Sequence, residues 1–106
     1  MNITIEATGF TASEHLKGFI QEKVEHLFRQ NDKILRVEVH LLKDAEGHQE
    51  KQWCELNIAI PGDNVFVKKK SELFEKSIAT AVKAVQKIMR RSKVAVIHKR
   101  KTRTTI

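Results

Sequence analysis

The spacing of apolar side chains predicts both the elements of this 106-residue chain and their order. In four segments, residues 2–8, 33–43, 51–60 and 65–69, apolar residues tend to occupy every second position, which is the pattern of a strand with one buried face. In two others, residues 11–30 and 71–93, they recur at steps of three and four, which is typical of an amphipathic helix. The predicted order is therefore β-α-β-β-β-α.

Strands with one apolar face need a second layer over that face, and two amphipathic helices can supply it. We therefore expect an α+β fold in which a four-stranded, mostly antiparallel sheet carries both helices on one side. The first and second strands should run parallel, because a helix connects them. Residues 1–97 would form this single domain, and residues 98–106 a basic tail without regular structure. Residues 94–97 could extend the second helix or form a β-like segment.

Capping residues and turns set the predicted ends of the elements. Thr11 can cap the first helix, with Glu14 three residues on reaching back to the Thr11 amide. Ser13 and Ser71 are interpreted as helix caps rather than as nucleophiles. Residues 61–64 predict a tight turn between the third and fourth strands, because proline presets φ and glycine or asparagine can adopt positive φ.

Charge is divided sharply between the two parts of the chain. Residues 1–64 contain seven Lys and Arg against eleven Asp and Glu, a net charge of −4, whereas residues 65–106 contain thirteen against two, a net charge of +11. From Lys87 onward there are eight basic residues and no acidic one. Charge separated in this way attracts a polyanion, and nucleic acid is the partner that it predicts.

The second helix is predicted to present a basic face. Its apolar residues cluster on one side, and basic residues fall on the opposite side. An ordinary solvated helix face is the alternative interpretation. Like charges four residues apart, however, lower helix stability unless a partner relieves them. We therefore predict that this surface binds phosphates. The residues of the face are Lys76, Lys83, Lys87, Arg90 and Arg91, and the run continues with Lys93, Lys99, Arg100 and Lys101.

The sequence does not contain the spacing patterns of catalytic or metal-binding sites. The five histidines lack metal-ligand spacing and the four glycines are dispersed, so no enzyme, cofactor or small-molecule substrate is predicted. The single cysteine, Cys54, can form no intrachain disulfide and is interpreted as a small buried hydrophobic residue. No apolar run approaches the roughly 20 residues of a membrane span, so no membrane partner is expected.

Trp53 and Phe66 fall on the strand face that is turned away from the predicted core. Exposed aromatic residues on a sheet can stack on unpaired bases. No Lys/Arg-Gly-Phe motif accompanies these two residues, however, and a shifted register or an edge-packed aromatic side chain is the commoner explanation.

Several segments resemble one known family in sequence and order. They are the strand at 2–5, the helix segment 19–27, the turn and strand at 60–67, the helix segment 74–86, which reads FEKSIATAVKAVQ, and the basic run 87–93. Over residues 1–93 they are together similar to the ribosome hibernation promoting factor family, also called the ribosome-associated inhibitor or sigma-54 modulation family. The chain departs from the family pattern at Ala79, where Asp is usual, and at Ile88, where Gln is common. Its segment 94–97 is also more apolar than usual.

This resemblance implies a double-stranded-RNA-binding-like domain that lodges in the small ribosomal subunit between head and platform. There it would cover ribosomal RNA (rRNA) where messenger and transfer RNA bind, so that translation pauses during stress. The resemblance also implies a cytoplasmic location. It further implies a short form without a dimerisation domain, which would not pair ribosomes unaided. By matching position, the rRNA contacts would be Lys23 on the first helix and Lys83, Lys87, Arg90, Arg91 and Lys93 on the second.

Two other interpretations of the sequence stay open. A general module for double-stranded or structured RNA would bind free duplex RNA about as well as it binds ribosomal subunits. A regulatory protein-binding domain would instead use the acidic first half of the chain, and its partner binding would not depend on Lys87, Arg90 and Arg91.

Overall fold

The computed structural model describes the backbone of residues 2–46 and 49–105 and the side chains of residues 2–44 and 51–90. The elements follow the predicted order β-α-β-β-β-α. Their bounds are β1 Ile3–Thr8, α1 Glu14–Gln30, β2 Arg36–Glu46, β3 Gln49–Ile60, β4 Asp63–Ser71 and α2 Phe74–Thr105.

The four strands form one sheet in the order β1-β2-β3-β4. β1 runs parallel to β2, because α1 returns the chain between them, and the other two pairs are antiparallel. The predicted α+β class and the parallel first pair are therefore confirmed.

One hydrophobic core lies between the sheet and the two helices. The inward-facing residues of the strands and the apolar sides of both helices belong to a single buried cluster. Val37 and Leu56 of the sheet and Ile20 and Ile78 of the helices are fully enclosed in it. Burying such a side chain contributes about 1.5–3 kcal/mol to stability. This burial determines which side of each helix faces the solvent.

Strand pairing extends the hairpins beyond their predicted ends. β3 and β4 pair as far as Ile60 and Asp63, so residues 61–62 alone form the turn, and Gly62 has a φ of 80°. The turn is confirmed at the predicted place. β4 extends beyond the predicted 65–69 at both ends. The added residues are polar and pair through their backbone groups, so the alternation of apolar side chains did not indicate them.

The second strand differs from its prediction at both ends. In the predicted strand 33–43, Leu35 lies on the same face as Val37, Val39 and Leu41 and is therefore expected to face the core. In the structure it precedes β2 and is 58% exposed, while Ile34 is buried in its place. At the other end, the polar segment 44–49 between the second and third predicted strands is expected to form a hairpin loop. β2 and β3 instead continue into this segment as far as Glu46 and Gln49. Residues 47 and 48 lie outside the described part of the chain.

The first helix begins later than the Thr11 cap predicted. It starts at Glu14, and Ser13 is the N-cap residue, whose Oγ accepts a hydrogen bond from the Leu16 backbone N–H at 3.1 Å. The prediction of a capping box at Thr11 is therefore wrong, and the interpretation of Ser13 as a cap is confirmed. The buried side chain of Ala12 explains the shift, because it packs into the core before the helix begins.

The second helix continues to Thr105, well beyond its predicted end near residue 93. No proline or glycine occurs after Phe74, so nothing in the backbone chemistry stops the helix. Residues 94–97 therefore extend the helix, which was one of two alternatives. The backbone of residues 98–105 is also helical, where the sequence predicted no regular structure. The division into a domain at 1–97 and a tail at 98–106 itself stays a prediction.

Candidate nucleic-acid interface

The second helix presents four exposed basic side chains on the side opposite the core. Its apolar residues are buried against the sheet and α1, and this burial fixes the rotation of the helix about its axis. The four exposed cations, which we call the basic stripe, are Lys76, Lys83, Lys87 and Arg90. The structure therefore brings together four of the residues that the sequence singled out.

The basic stripe is narrow and long. At 100° per residue its four side chains fall within about 60° of the helix circumference, and at 1.5 Å per residue Lys76 and Arg90 are separated by about 21 Å along the axis. A ridge of this shape can contact several successive phosphates of one RNA backbone. It is not a concave pocket for a small anion.

The charges of the stripe are not neutralised within the described part of the protein. None of the four cations has an ion pair there, although ion pairs occur elsewhere, as between Lys17 and Glu14. The last acidic residue of the sequence is Glu75, at the start of the helix. Lys83 and Lys87 stand four residues apart, a spacing at which like charges repel. The stripe is thus an unpaired cationic surface that an anionic partner would stabilise.

The start of α2 is fixed to the sheet by long-range hydrogen bonds. The backbone N–H of Phe74 donates to Gln52 Oε1 at 2.6 Å, and Ser77 Oγ donates to the Gln52 carbonyl at 2.7 Å. Ser71, predicted as the cap, instead accepts from the Leu73 N–H at 3.2 Å and lies 2.7 Å from Ser77 Oγ. The capping role at Phe74 therefore belongs to a residue of β3, which local sequence does not indicate.

Lys23 lies on α1, on the side of that helix nearest α2. It is half-buried, and its Nζ lies 5.5 Å from the centre of the Phe19 ring. Gln30, seven residues later and so on the same side of α1, accepts a hydrogen bond from Gln86 of α2 at 2.9 Å. Lys23 is therefore on the flank of α1 that borders the helix carrying the stripe.

A groove opens where the end of α1 meets α2. It has a volume of about 320 Å³ and is lined by Leu27, Gln30, Asn31, Ile34, Gln86, Met89 and Arg90. Arg90 thus belongs both to the basic stripe and to the wall of this groove. Sequence reasoning missed the groove, because its lining comes from two helices and a connection that are distant in sequence.

The remaining predicted contact residues lie on the continuation of α2. Arg91, Lys93, Lys99, Arg100 and Lys101 are within its helical backbone, but their side chains lie outside the described residues. Their contact with RNA stays a prediction.

The open face of the sheet carries the two aromatic residues that the sequence placed there. Phe66 is 60% exposed. Trp53 is half-buried, because the Nζ atoms of Lys68 and Lys70 lie over its ring at 4.6 and 5.0 Å from the ring centre. The predicted face is confirmed, but the Trp53 ring is already covered by cations and does not offer a free stacking surface.

A cross-strand ion-pair network occupies the middle of the same face. Glu55 contacts His40 Nδ1 at 3.1 Å and Lys68 Nζ at 3.4 Å, and Thr8 Oγ1 lies 2.8 Å from His40 Nε2. Partial burial alone would raise the pKa of Glu55, but the hydrogen bonds and charges of His40 and Lys68 outweigh that effect and lower it. The network ties all four strands together and leaves this face with charges of both signs.

Cys54 is buried in the core, as predicted. Burial, and to a lesser extent the neighbouring charge of Glu55, raises the pKa of its thiol to about 12. A thiol that stays protonated is a poor nucleophile and a poor metal ligand. In the part of the chain that the structure describes, no three His, Cys, Asp or Glu side chains are grouped so that they could hold a metal ion. Nor does any helix there combine the length and apolar character needed to cross a membrane.

The fold and the basic stripe define a small α+β domain that presents one cationic helix. A family model identifies the class further, because it matches residues 3–96. The chain belongs to the Sigma 54 modulation protein / S30EA ribosomal protein family, whose members are ribosome-associated proteins. The resemblance seen in the sequence is therefore confirmed.

Solved structures share the fold at low sequence identity. A ribosomal subunit interface protein from Coxiella burnetii superposes with a TM-score of 0.78 and 16% identity, over 89% of this chain and 99% of that one. The N-terminal domain of Protein Y from Thermus thermophilus gives a TM-score of 0.75 and 22% identity, over 86% and 98%. No curated protein sequence matches the chain significantly.

Proposed function

We propose that this protein binds the small ribosomal subunit through the basic stripe and inhibits translation without catalysing a reaction. In this proposal it covers rRNA at the sites of messenger and transfer RNA, between the head and the platform of the subunit. Membership of a ribosome-associated family supports the choice of the ribosome as partner, and with it a cytoplasmic location. The names of the two structural neighbours, a ribosomal subunit interface protein and Protein Y, agree with this choice.

The observation that carries the proposal is the unpaired stripe itself. Four cations lie exposed on one side of a helix whose other side is held by the core, and no described acid neutralises them. Repulsion between like charges four residues apart, as at Lys83 and Lys87, lowers the stability of the free helix, and an anionic partner would relieve it. Phosphates are the anions that an RNA-rich particle supplies.

Binding of this kind follows the shape of the RNA more than its sequence. Lys and Arg side chains displace the counterions condensed along the phosphate backbone, so the affinity falls steeply as salt rises. Duplex-like RNA is recognised mainly through its backbone and 2′-hydroxyl groups. Inhibition is then steric, because the bound domain occupies the volume that the natural RNA ligands need.

The wider contact would include the residues that flank the stripe. Lys23 borders α2 and can reach the same RNA from α1. We assign the same role to Arg91, Lys93, Lys99, Arg100 and Lys101, which extend the cationic helix along its axis. A long helix bearing these residues would follow an RNA groove or channel beyond the folded domain.

Sedimentation with purified small subunits tests this function. The protein should co-sediment in a one-to-one ratio at low salt and be released as the salt concentration rises. The absence of co-sedimentation at low salt would contradict the proposal.

A competition titration separates the proposal from a general RNA-binding module. An excess of free duplex RNA should displace little protein from subunits, whereas a general module would be displaced in proportion to the duplex added. A protein-binding domain would retain its partner after charge reversal at Lys83, Lys87 and Arg90.

A further inference from the structure

The groove between α1 and α2 combines an apolar floor with a polar rim. Leu27, Ile34 and Met89 line the floor, and all three belong to the buried core. The rim is formed by the amides of Gln30 and Gln86 and by the guanidinium of Arg90. A floor of this kind favours a flat apolar surface, while the rim favours a ligand whose edges form hydrogen bonds.

The amide pair on the rim has hydrogen-bonding capacity that the bond between the two amides does not use. Gln86 Nε2 donates to Gln30 Oε1 at 2.9 Å, and this bond leaves Gln30 Nε2 as a donor and Gln86 Oε1 as an acceptor. The third amide of the lining, Asn31, already accepts from the Lys33 backbone N–H at 3.0 Å. The two glutamines therefore offer neighbouring donor and acceptor groups, which is what the edge of a nucleobase requires.

The position of Arg90 connects this groove to the basic stripe. Arg90 follows Gln86 by four residues, about one helical turn or roughly 6 Å along the axis. A phosphate at Arg90 and a base beside Gln86 could thus belong to the same nucleotide. The volume of about 320 Å³ is at the lower end of the range of small-ligand sites, which suits one planar ring system.

We infer that the groove receives one unpaired base of structured RNA, held over Leu27 and Met89 by the two glutamine amides while Arg90 contacts its phosphate. The inference rests on the proposed function and deepens it. It adds a site that binds one unpaired base to a surface that otherwise contacts only the RNA backbone. Unpaired bases are the parts of RNA that proteins can reach and bind in pockets.

The first test uses RNA hairpins that carry either one bulged nucleotide or an abasic residue at the same position. Measured by fluorescence anisotropy, the full chain should bind the bulged base at least about five-fold more tightly than the abasic hairpin. The double variant Q30A/Q86A should bind both hairpins equally, whereas Gln21→Ala, an exposed glutamine elsewhere on α1, should keep the preference. Equal binding of the two hairpins by the unmodified protein would overturn the inference.

The second test separates this inference from the function on which it rests. In sedimentation with small subunits, Q30A/Q86A should weaken binding while leaving the slope of log affinity against log salt unchanged, because amides release no counterions. Wild-type affinity of this variant, or a reduced salt slope, would overturn the base site. Failure of the unmodified protein to bind subunits, with base discrimination on hairpins retained, would remove the proposed function and keep the groove as a base site.

Discussion

The backbone N–H of Phe74, the first residue of α2, donates a hydrogen bond of 2.6 Å to Oε1 of Gln52 on β3. A residue of the sheet therefore caps the helix that carries the basic stripe. Ser77 reinforces the connection by donating to the Gln52 carbonyl at 2.7 Å. The starting point and the direction of the stripe are thus set by the sheet rather than by the helix alone.

Replacing Gln52 by alanine should weaken this connection. Loss of the cap leaves the Phe74 N–H without its acceptor, and removal of a helix cap costs about 1 kcal/mol. Urea unfolding should show a free energy of unfolding lower by that amount, with Gln21→Ala as a surface control that changes little. Wild-type stability in Gln52→Ala would show that the bond contributes nothing.

Single substitutions in the stripe should change the salt dependence of subunit binding. Lys83→Ala, Lys87→Ala and Arg90→Ala each remove one phosphate contact, so each should lower the log–log salt slope by roughly one. Lys17→Ala, which removes a lysine already paired with Glu14, is the matched control and should leave the slope as it is. Slopes that are the same in all four variants would mean that the stripe does not contact phosphates.

The turn between β3 and β4 should be destabilised by a side chain at Gly62. Its φ of 80° is a conformation that L-residues avoid, although nothing lies within 4 Å of the added Cβ, so Gly62→Ala should cost about 1 kcal/mol from backbone strain alone. Gly18 lies inside α1 with equally open space, and Gly18→Ala should instead stabilise the protein by up to about 1 kcal/mol. Thermal unfolding of the two variants, compared with the unmodified protein, checks the opposite signs.

The network around Glu55 should make part of the stability depend on pH. Its pKa is lowered in the folded protein by His40 and Lys68, so its contribution is complete above the unfolded value of about 4.5 and is lost as pH falls through the lower folded value. The stability difference between the unmodified protein and Glu55→Gln should therefore shrink as pH falls below 4.5. Urea unfolding at pH 7 and at pH 3 measures it, and a difference independent of pH would contradict the assigned partners.

The sequence predicted the elements that bury one apolar face and missed those that depend on distant partners. Alternation located all four strands, and the apolar positions of α2 placed Lys76, Lys83, Lys87 and Arg90 together. Those predictions succeed because burial acts on each segment in the same way wherever it lies in the chain.

The misses share a physical cause. The true cap of α2 is Gln52, which lies 22 residues before Phe74, and no local pattern can reveal it. The position of Leu35 was wrong because the chain turns Ile34 inward just before β2. The groove could not be predicted from the sequence, because its amides, Gln30 and Gln86, meet only after both helices have packed.

Chemical probing of rRNA in small subunits tests whether the basic stripe holds the protein over the sites of messenger and transfer RNA. Binding of the unmodified protein should protect nucleotides where messenger and transfer RNA lie, between head and platform. The triple variant Lys83→Glu, Lys87→Glu and Arg90→Glu should leave those nucleotides reactive. Protection confined to other regions of the subunit, or an unchanged footprint with the triple variant, would show that the stripe does not hold the protein at these sites.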